Sequence, residues 1–259
     1  MNKQTGGDGT VGKALDVLDK VAEKARPVRF HELLAESSHP KATLYRLLQT
    51  LVRQGMLSYS DEQQTYSLGL RLMHLAHAAW QQSSLAPIAR PFIDHLAQAV
   101  GETVHLAQLD NGQVLYVDKR KAASPIEMFS QAGKIGPGYC TGVGKAIMAF
   151  LDEPQLSQVI QKQSFYHYTP NTLTTSERLR SELMSIRSDG VSFDREEHEP
   201  GIICIAAPIL SLSERPLGAL SVTTSTQRKS VEDLERFRPD LLETAAKISA
   251  AAEDWQFPG

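Results

Sequence analysis

Apolar residues recur at helical spacing in three successive segments near the start of the chain. Val11, Ala14, Leu15, Val17, Leu18 and Val21 predict an amphipathic helix over about 11–24. Pro27 breaks the chain, and Phe30, Leu33 and Leu34 mark a shorter helix ending near Ser37. In the third segment Leu44, Leu47, Leu48 and Leu51 stand at i, i+3, i+4 and i+7, which leaves Lys41, Thr43, Tyr45, Arg46, Gln49 and Arg53 on other faces. Ser38 or His39 stands where an N-cap is expected, and Pro40 suits the first helical position, where its missing N–H costs nothing. Gly55 supplies the C-terminal stop. Residues 56–59 and 65–68 then read as two strands, joined into a wing by the polar turn 60–64.

Two helices, a short turn and a third helix with a polar, basic N-terminal end make a helix-turn-helix, in which the first residues of the recognition helix meet base edges and phosphates. The same elements also build plain α+β subdomains with no nucleic-acid role. Asp61 and Glu62 at the wing tip favour that alternative, because phosphates repel carboxylates.

Beyond the wing, Leu70, Leu72, Met73, Leu75, Ala76, Ala79 and Trp80 make a broadly apolar helix over 69–81 that needs a partner surface, best supplied by a second copy of the chain. His74 and His77 at i, i+3 read as surface or interface histidines, since no nearby cysteine or carboxylate completes a metal set. After Ser83 and Ser84 another helix runs from Leu85 to Val100 with Pro87 and Pro91 inside it. The period then shortens. Residues 103–109 alternate weakly, Asp110-Asn111-Gly112 is a hairpin turn, 113–118 is the return strand and 126–130 a third. Helices are predicted from near Thr141, at 153–162, at 176–189 and at 230–254. A second hairpin joins 202–210 to 217–224. Hairpins with interspersed helices mean an α+β antiparallel-sheet domain and not a doubly wound parallel one.

Composition agrees with this division. The chain has 259 residues, 41% hydrophobic and 22% charged, which suits two globular domains, and no run of 18 apolar residues spans a membrane. The start, MNKQTGGDGT, lacks the apolar stretch of a secretory signal and reads as a disordered tail over 1–9. Two cysteines make no disulfide framework, so the expected compartment is the cytoplasm. The net charge of −3 hides an asymmetry: residues 1–71 carry 10 Lys+Arg against 8 Asp+Glu, and the remainder 17 against 22. A basic head on an acidic body is weak support for a DNA-binding domain joined to a sensing domain.

Enzyme chemistry finds little purchase. The run 136–145 resembles a phosphate loop but has Tyr139 where the first Gly is needed and Ala146 after Lys145. A glycine-rich turn entering a helix can still offer N–H groups to a carboxylate, with Thr141, Gly142 and Val143 lining a pocket. Asp194, Glu196, Glu197, His198 and Cys204 have no spacing that demands a hydrolase or metal centre. The run 194–199 reads as a solvated loop, and Cys204 as an inert thiol in an apolar strand. No enzyme activity, cofactor or metal is expected.

Two motifs carry a family resemblance. Lys41-Ala42-Thr43-Leu44-Tyr45-Arg46-Leu47-Leu48, followed by Leu51, Gly55 and Tyr66-Ser67-Leu68-Gly69, resembles the winged helix of the IclR family of bacterial regulators. The run from Gly190 to Ala206, with Asp194 and Cys204 in it, carries Gly, Asp, Glu, Cys, Ile and Ala at the spacing of the family's second signature, although Leu210 and Ser211 depart from its usual tail. The resemblance implies a winged helix-turn-helix over 10–69, a linker and dimerisation helix over 70–84, and a GAF-like effector-binding domain over 85–255. It makes Ser38, Lys41, Thr43, Tyr45 and Arg46 the DNA-contact candidates. For the effector it implies Gly142, Val143, Asp194, Cys204, Ser221 and Thr223, within an apolar wall from Met128, Ile147 and Ile202. The implied partners are double-stranded palindromic operator DNA, a small-molecule effector of the organic-acid class, and the chain itself as a dimer or dimer of dimers, with no membrane. A sensor whose N-terminal module binds protein is the alternative.

Overall fold

The computed structural model describes residues 9–253 except Ala123 and Pro125. The tail expected over 1–9 therefore lies, but for Gly9, outside the described residues. The chain divides into two compact units between Gln82 and Ser83.

In the first unit, α1 (Thr10–Glu23), α2 (Phe30–Glu36) and α3 (Lys41–Arg53) enclose a core of Val17, Leu18, Val21, Leu33, Leu44, Leu47, Leu48 and Leu51. The leucines predicted on one stripe of α3 are all buried, so the period of 3.6 sets which face turns outward. One expectation is corrected at its start. Pro40, with ψ near 147°, is the capping residue itself, Lys41 opens the helix, and no side chain caps it. Proline's fixed φ suits either position, and the residue before Pro is biased toward extended backbone. Three short strands complete the unit: β1 (Val28–Arg29), which periodicity did not show, then β2 (Leu57–Ser60) and β3 (Thr65–Leu68), in the order β1-β3-β2. Helix α4 (Leu70–Ser83) follows. Its start is tied to the end of α3: Gly69 N–H donates to the Met56 carbonyl, and the Arg71 guanidinium donates to the carbonyl and the side-chain oxygen of Gln54, each at 2.9 Å.

The second unit opens with α5 (Ala86–Val100) and continues through β4 (Thr103–Asp110), β5 (Gln113–Arg120), β6 (Ile135–Pro137), α6 (Gly142–Met148), α7 (Glu153–Gln161), α8 (Ser176–Asp189), β7 (Ser192–Arg195), β8 (Ile202–Leu210) and β9 (Pro216–Ser225). It ends with α9 (Val231–Leu234), a 3-10 turn and α10 (Arg238–Ala251). The six strands form one antiparallel sheet in the order β6-β5-β4-β9-β8-β7. Asn111 and Gly112 both have positive φ, the backbone that a two-residue hairpin turn needs between β4 and β5. Helices α5 and α10 pack on the sheet, and α6, backed by α8, packs on it through Val143, Ala146 and Ile147 against Ala107, Ala206 and Ala219. The expected α+β class with a winged helix-turn-helix and an antiparallel-sheet domain is what the chain adopts.

Three readings of this unit are corrected. Residues 126–130 are not a strand; the third strand of that edge is β6. Their apolar side chains close over a cavity, and the backbone N–H of Phe129 bonds to a carboxylate instead of a ladder. The run 194–199 is not a solvated loop, since β7 occupies its start and Asp194 and Glu197 are buried. The long final helix is interrupted, because Pro239 lacks an N–H and can stand only in the first turn of α10. Among the described residues, no helix is long and apolar enough to cross a membrane.

Candidate functional site

Helix α3 presents its N-terminal half to solvent. Ser38 precedes it and is exposed, as are Lys41, Tyr45 and Arg46, and Thr43 is half-buried. The leucine stripe underneath fixes which way these side chains face, and the Tyr45 ring stands edge-on to Phe30 with centroids 6.1 Å apart. A polar row of this kind on a rigidly packed helix has the shape and chemistry to enter a DNA groove. On α4, Leu70, Met73 and Leu75 are exposed although apolar.

The second site grows from sheet register. Residues directly opposite in antiparallel strands point to the same face. Asp194 pairs with Cys204, and Cys204 with Thr223. In the adjacent row Ser192 pairs with Ala206, Ala206 with Ser221, and Ser221 with His105. Two rows across four strands thus carry the polar groups, and the start of α6 lies over them. Ser192 Oγ holds that start down by donating to the Gly142 carbonyl at 2.5 Å. A side chain at Gly142 would meet Cys204 Sγ, so the backbone can reach the sheet only because this residue is glycine.

Gly142, Val143, Asp194, Cys204, Ser221 and Thr223 all line one small cavity of about 40 Å³, room for a few waters. Met128 and Ile202 contribute its apolar wall as expected. Ile147 does not: it points from α6 into the core with Val114 and Ala219.

The cavity also holds residues that the sequence reading missed. His105 is buried beneath it, with Nδ1 at 3.3 Å from Ser221 Oγ and 3.1 Å from Thr223 Oγ1, and Nε2 at 2.8 Å from Ser130 Oγ. Burial, with Lys119 nearby, lowers its pKa to about 3, so the imidazole is neutral. Its signal was the alternation of Thr103, His105 and Ala107 on one face of β4, which does not distinguish a site from a core. Tyr116, Phe129, His198 and Glu199 complete the wall. Glu199 clamps the segment over the opening by accepting the Phe129 N–H at 2.7 and 2.9 Å, and the His198 ring stands edge-on to Phe129 and Tyr168.

Electrostatics single out Asp194. Burial, then the neighbouring Glu197 charge, raises its pKa to about 7. Its Oδ1 accepts the Glu197 N–H at 2.8 Å. Burial likewise pushes the Cys204 thiol up to about 12, which leaves it protonated and a poor nucleophile. Behind the wall, the buried Lys145 ammonium pairs with Glu197 and stands 3.4 Å from Glu182. Among the described residues no cluster of three or more His, Cys, Asp or Glu is placed to hold a metal ion.

Comparison with known proteins matches both units. Residues 10–61 fit the IclR helix-turn-helix domain, and residues 77–250 fit the bacterial transcriptional regulator IclR C-terminal domain. The HTH-type transcriptional regulator KdgR of Escherichia coli (strain K12) is 31% identical over 258 residues, covering 100% of this chain and 98% of that protein. The crystal structure of the Thermotoga maritima IclR is similar with a TM-score of 0.77 and 27% identity, over 94% of this chain and 98% of that one. An IclR homologue from Microbacterium hydrocarbonoxydans, solved in complex with 4-hydroxybenzoate, has the same fold with a TM-score of 0.80 at 22% identity, over 95% and 100% of the two chains. The relative at 31% identity is a transcriptional regulator.

Proposed function

This chain belongs to the IclR family of DNA-binding transcriptional regulators, and on that premise we propose that it reads a palindromic operator as a dimer or dimer of dimers, under control of a small organic acid bound in its second unit. The observation that carries the effector half is the convergence of Gly142, Val143, Asp194, Cys204, Ser221 and Thr223 on one cavity from four separate elements. The ligand-bound relative supports a small molecule in this fold. Ser38, Lys41, Thr43, Tyr45 and Arg46 are the proposed contacts to operator DNA, in the cytoplasm.

Exposed Leu70, Met73 and Leu75 on α4 support a second copy of the chain as its cover. The mechanism is linkage: the ligand favours one arrangement of the dimer, α4 carries it to α3, and operator affinity shifts by a coupling energy of about 1–3 kcal/mol. Fluorescence anisotropy with an operator-length duplex at graded salt tests the DNA half. Counterion release requires log affinity to fall with log salt at about −0.9 per phosphate contact, and no binding at low salt would leave the protein-binding alternative standing. A thermal-shift screen of small organic acids and aromatics tests the other half, since a ligand that binds only the folded state raises the melting temperature.

A further inference from the structure

The cavity presents a charge problem to the ligand proposed above. Among the described residues lining it there is no lysine or arginine, while two carboxylates, Asp194 and Glu199, face it. Burial lowers the pKa of both its histidines, His105 to about 3, which favours their neutral forms. The ammonium groups around it have other partners, and Lys134 stands over the Phe129 ring at 4.7 Å. Lys145, on α6, pairs with Glu197 and Glu182, and Lys119, on β5, donates to the Ser130 carbonyl at 2.6 Å. The other titratable neighbours of Asp194 are the thiols of Cys204 on β8 and Cys140 before α6, and the Tyr116 phenol on β5. Burial holds all three protonated. A carboxylate entering this space unaccompanied would meet like charge in a desolvated site, an arrangement disfavoured unless one group takes up a proton.

We propose that an organic acid enters this cavity as its anion together with one proton from solvent, held between the Asp194 carboxyl and the ligand carboxylate, so that Asp194 acts as a hydrogen-bond donor in the complex. The inference rests on the organic-acid reading of the site. Asp194 suits the role by geometry: Oδ1 accepts the Glu197 N–H, and the buried carboxyl stands beside Cys204 and Thr223 at the end of the polar row. Its carboxyl, raised to about 7 by burial and by Glu197, needs little free energy to stay protonated at neutral pH. The balance is simple: one anion and one proton go in, an O–H bond forms, and the net charge of the site is unchanged.

Calorimetry of the full-length protein tests this with pyruvate, benzoate and 4-hydroxybenzoate as probes, in buffers of different ionisation enthalpy at pH 6 and pH 8. Affinity should fall about tenfold from pH 6 to pH 8, with uptake approaching one proton per ligand at the higher pH. Asp194→Asn carries a permanent donor, so its affinity should change less than twofold over the same range. Wild-type binding that neither changes with pH nor takes up protons would overturn the proposal while leaving the organic-acid reading intact. A pH slope surviving in Asp194→Asn would overturn it too, by placing the proton elsewhere. Failure of all three acids to bind at pH 6 would remove the organic-acid reading, and this inference with it.

Discussion

The sulfur of Cys204 occupies the space into which a side chain on Gly142 would have to project. A Cβ there would also lie 3.5 Å from the Ala206 side chain and from the Asp194 backbone nitrogen. Gly142→Ala should therefore overpack the junction of α6 with the sheet, costing about 1–3 kcal/mol. It should also abolish the ligand response, because the displaced backbone forms one wall of the cavity. Thermal unfolding and an operator-release assay check both effects, and Gly142→Ala/Cys204→Ala should recover most of the stability. A single variant with an undiminished ligand response would put the ligand elsewhere.

Asp194 also ties stability to pH. Its pKa is raised to about 7 in the folded protein, against about 3.9 unfolded, so over that interval the unfolded chain ionises and the folded chain does not. Stability contributed by this group is full below about pH 4, declines as pH rises, and levels off above about 7. Asp194→Asn should remove that decline, leaving the variant more stable than wild type at pH 8 by on the order of 4 kcal/mol at most. Unfolding in urea at pH 5 and pH 8 checks it, and parallel pH curves for the two proteins would refute the raised pKa.

Lys145 and Glu197 form a buried ion pair whose second carboxylate oxygen, Glu197 Oε2, has no hydrogen-bond partner among the described residues. Lys145→Met strands that carboxylate and should cost about 3–5 kcal/mol. The deficit should shrink in acid, where Glu197, already raised by burial, takes a proton. Lys145→Met/Glu197→Leu should regain most of the loss, as judged by chemical denaturation of both variants at two pH values.

The sequence was most legible where one period dominates. Leu44, Leu47, Leu48 and Leu51 specify α3 and its outward face within a residue of the observed bounds. Alternation and the Asn111-Gly112 turn likewise give the β4–β5 hairpin. Where long-range contacts decide, pattern fails. Residues 126–130 look like a strand because Met128 and Phe129 are apolar, but they close over a cavity assembled from five strands and the start of α6. The run 194–199 looks solvated because it is charged, yet Asp194 is buried in β7 beneath the start of α6, and Glu197 pairs with Lys145, far away in sequence. Motif resemblance named six residues that the cavity brings together, whereas His105 lies outside both motifs and Glu199, though inside the second, was not singled out; their places emerge only from the register of the sheet and the fold of the covering segment.

On α3, Arg46 is exposed above the buried leucine stripe, so its replacement should disturb DNA contacts and little else. Arg46→Ala should weaken operator binding by about 1–3 kcal/mol if it reads a base edge. If it serves a phosphate, the salt slope should instead fall by about 0.9. Anisotropy titrations at several salt concentrations separate the two. Oligomeric state by analytical ultracentrifugation and ligand affinity by calorimetry should be unchanged.

The tie between α4 and α3 gives the last expectation. Arg71 donates from α4 to both the backbone carbonyl and the side-chain oxygen of Gln54, the residue that ends the recognition helix. Gly69 meets the same corner so closely that any side chain there would collide with the Gly55 backbone, so the two helices are fixed at one short junction. If α4 relays ligand binding, as proposed, this junction is where its movement reaches α3. Arg71→Ala removes the side-chain part of the tie but keeps the Gly69 contact, so the winged helix should stay folded. It should therefore bind duplex DNA and ligand separately with near wild-type affinity, while the ligand-induced change in operator affinity shrinks from the expected 1–3 kcal/mol toward zero. The measurement is a pair of operator titrations, with and without saturating ligand. A full ligand effect in Arg71→Ala would mean that the coupling runs by another route.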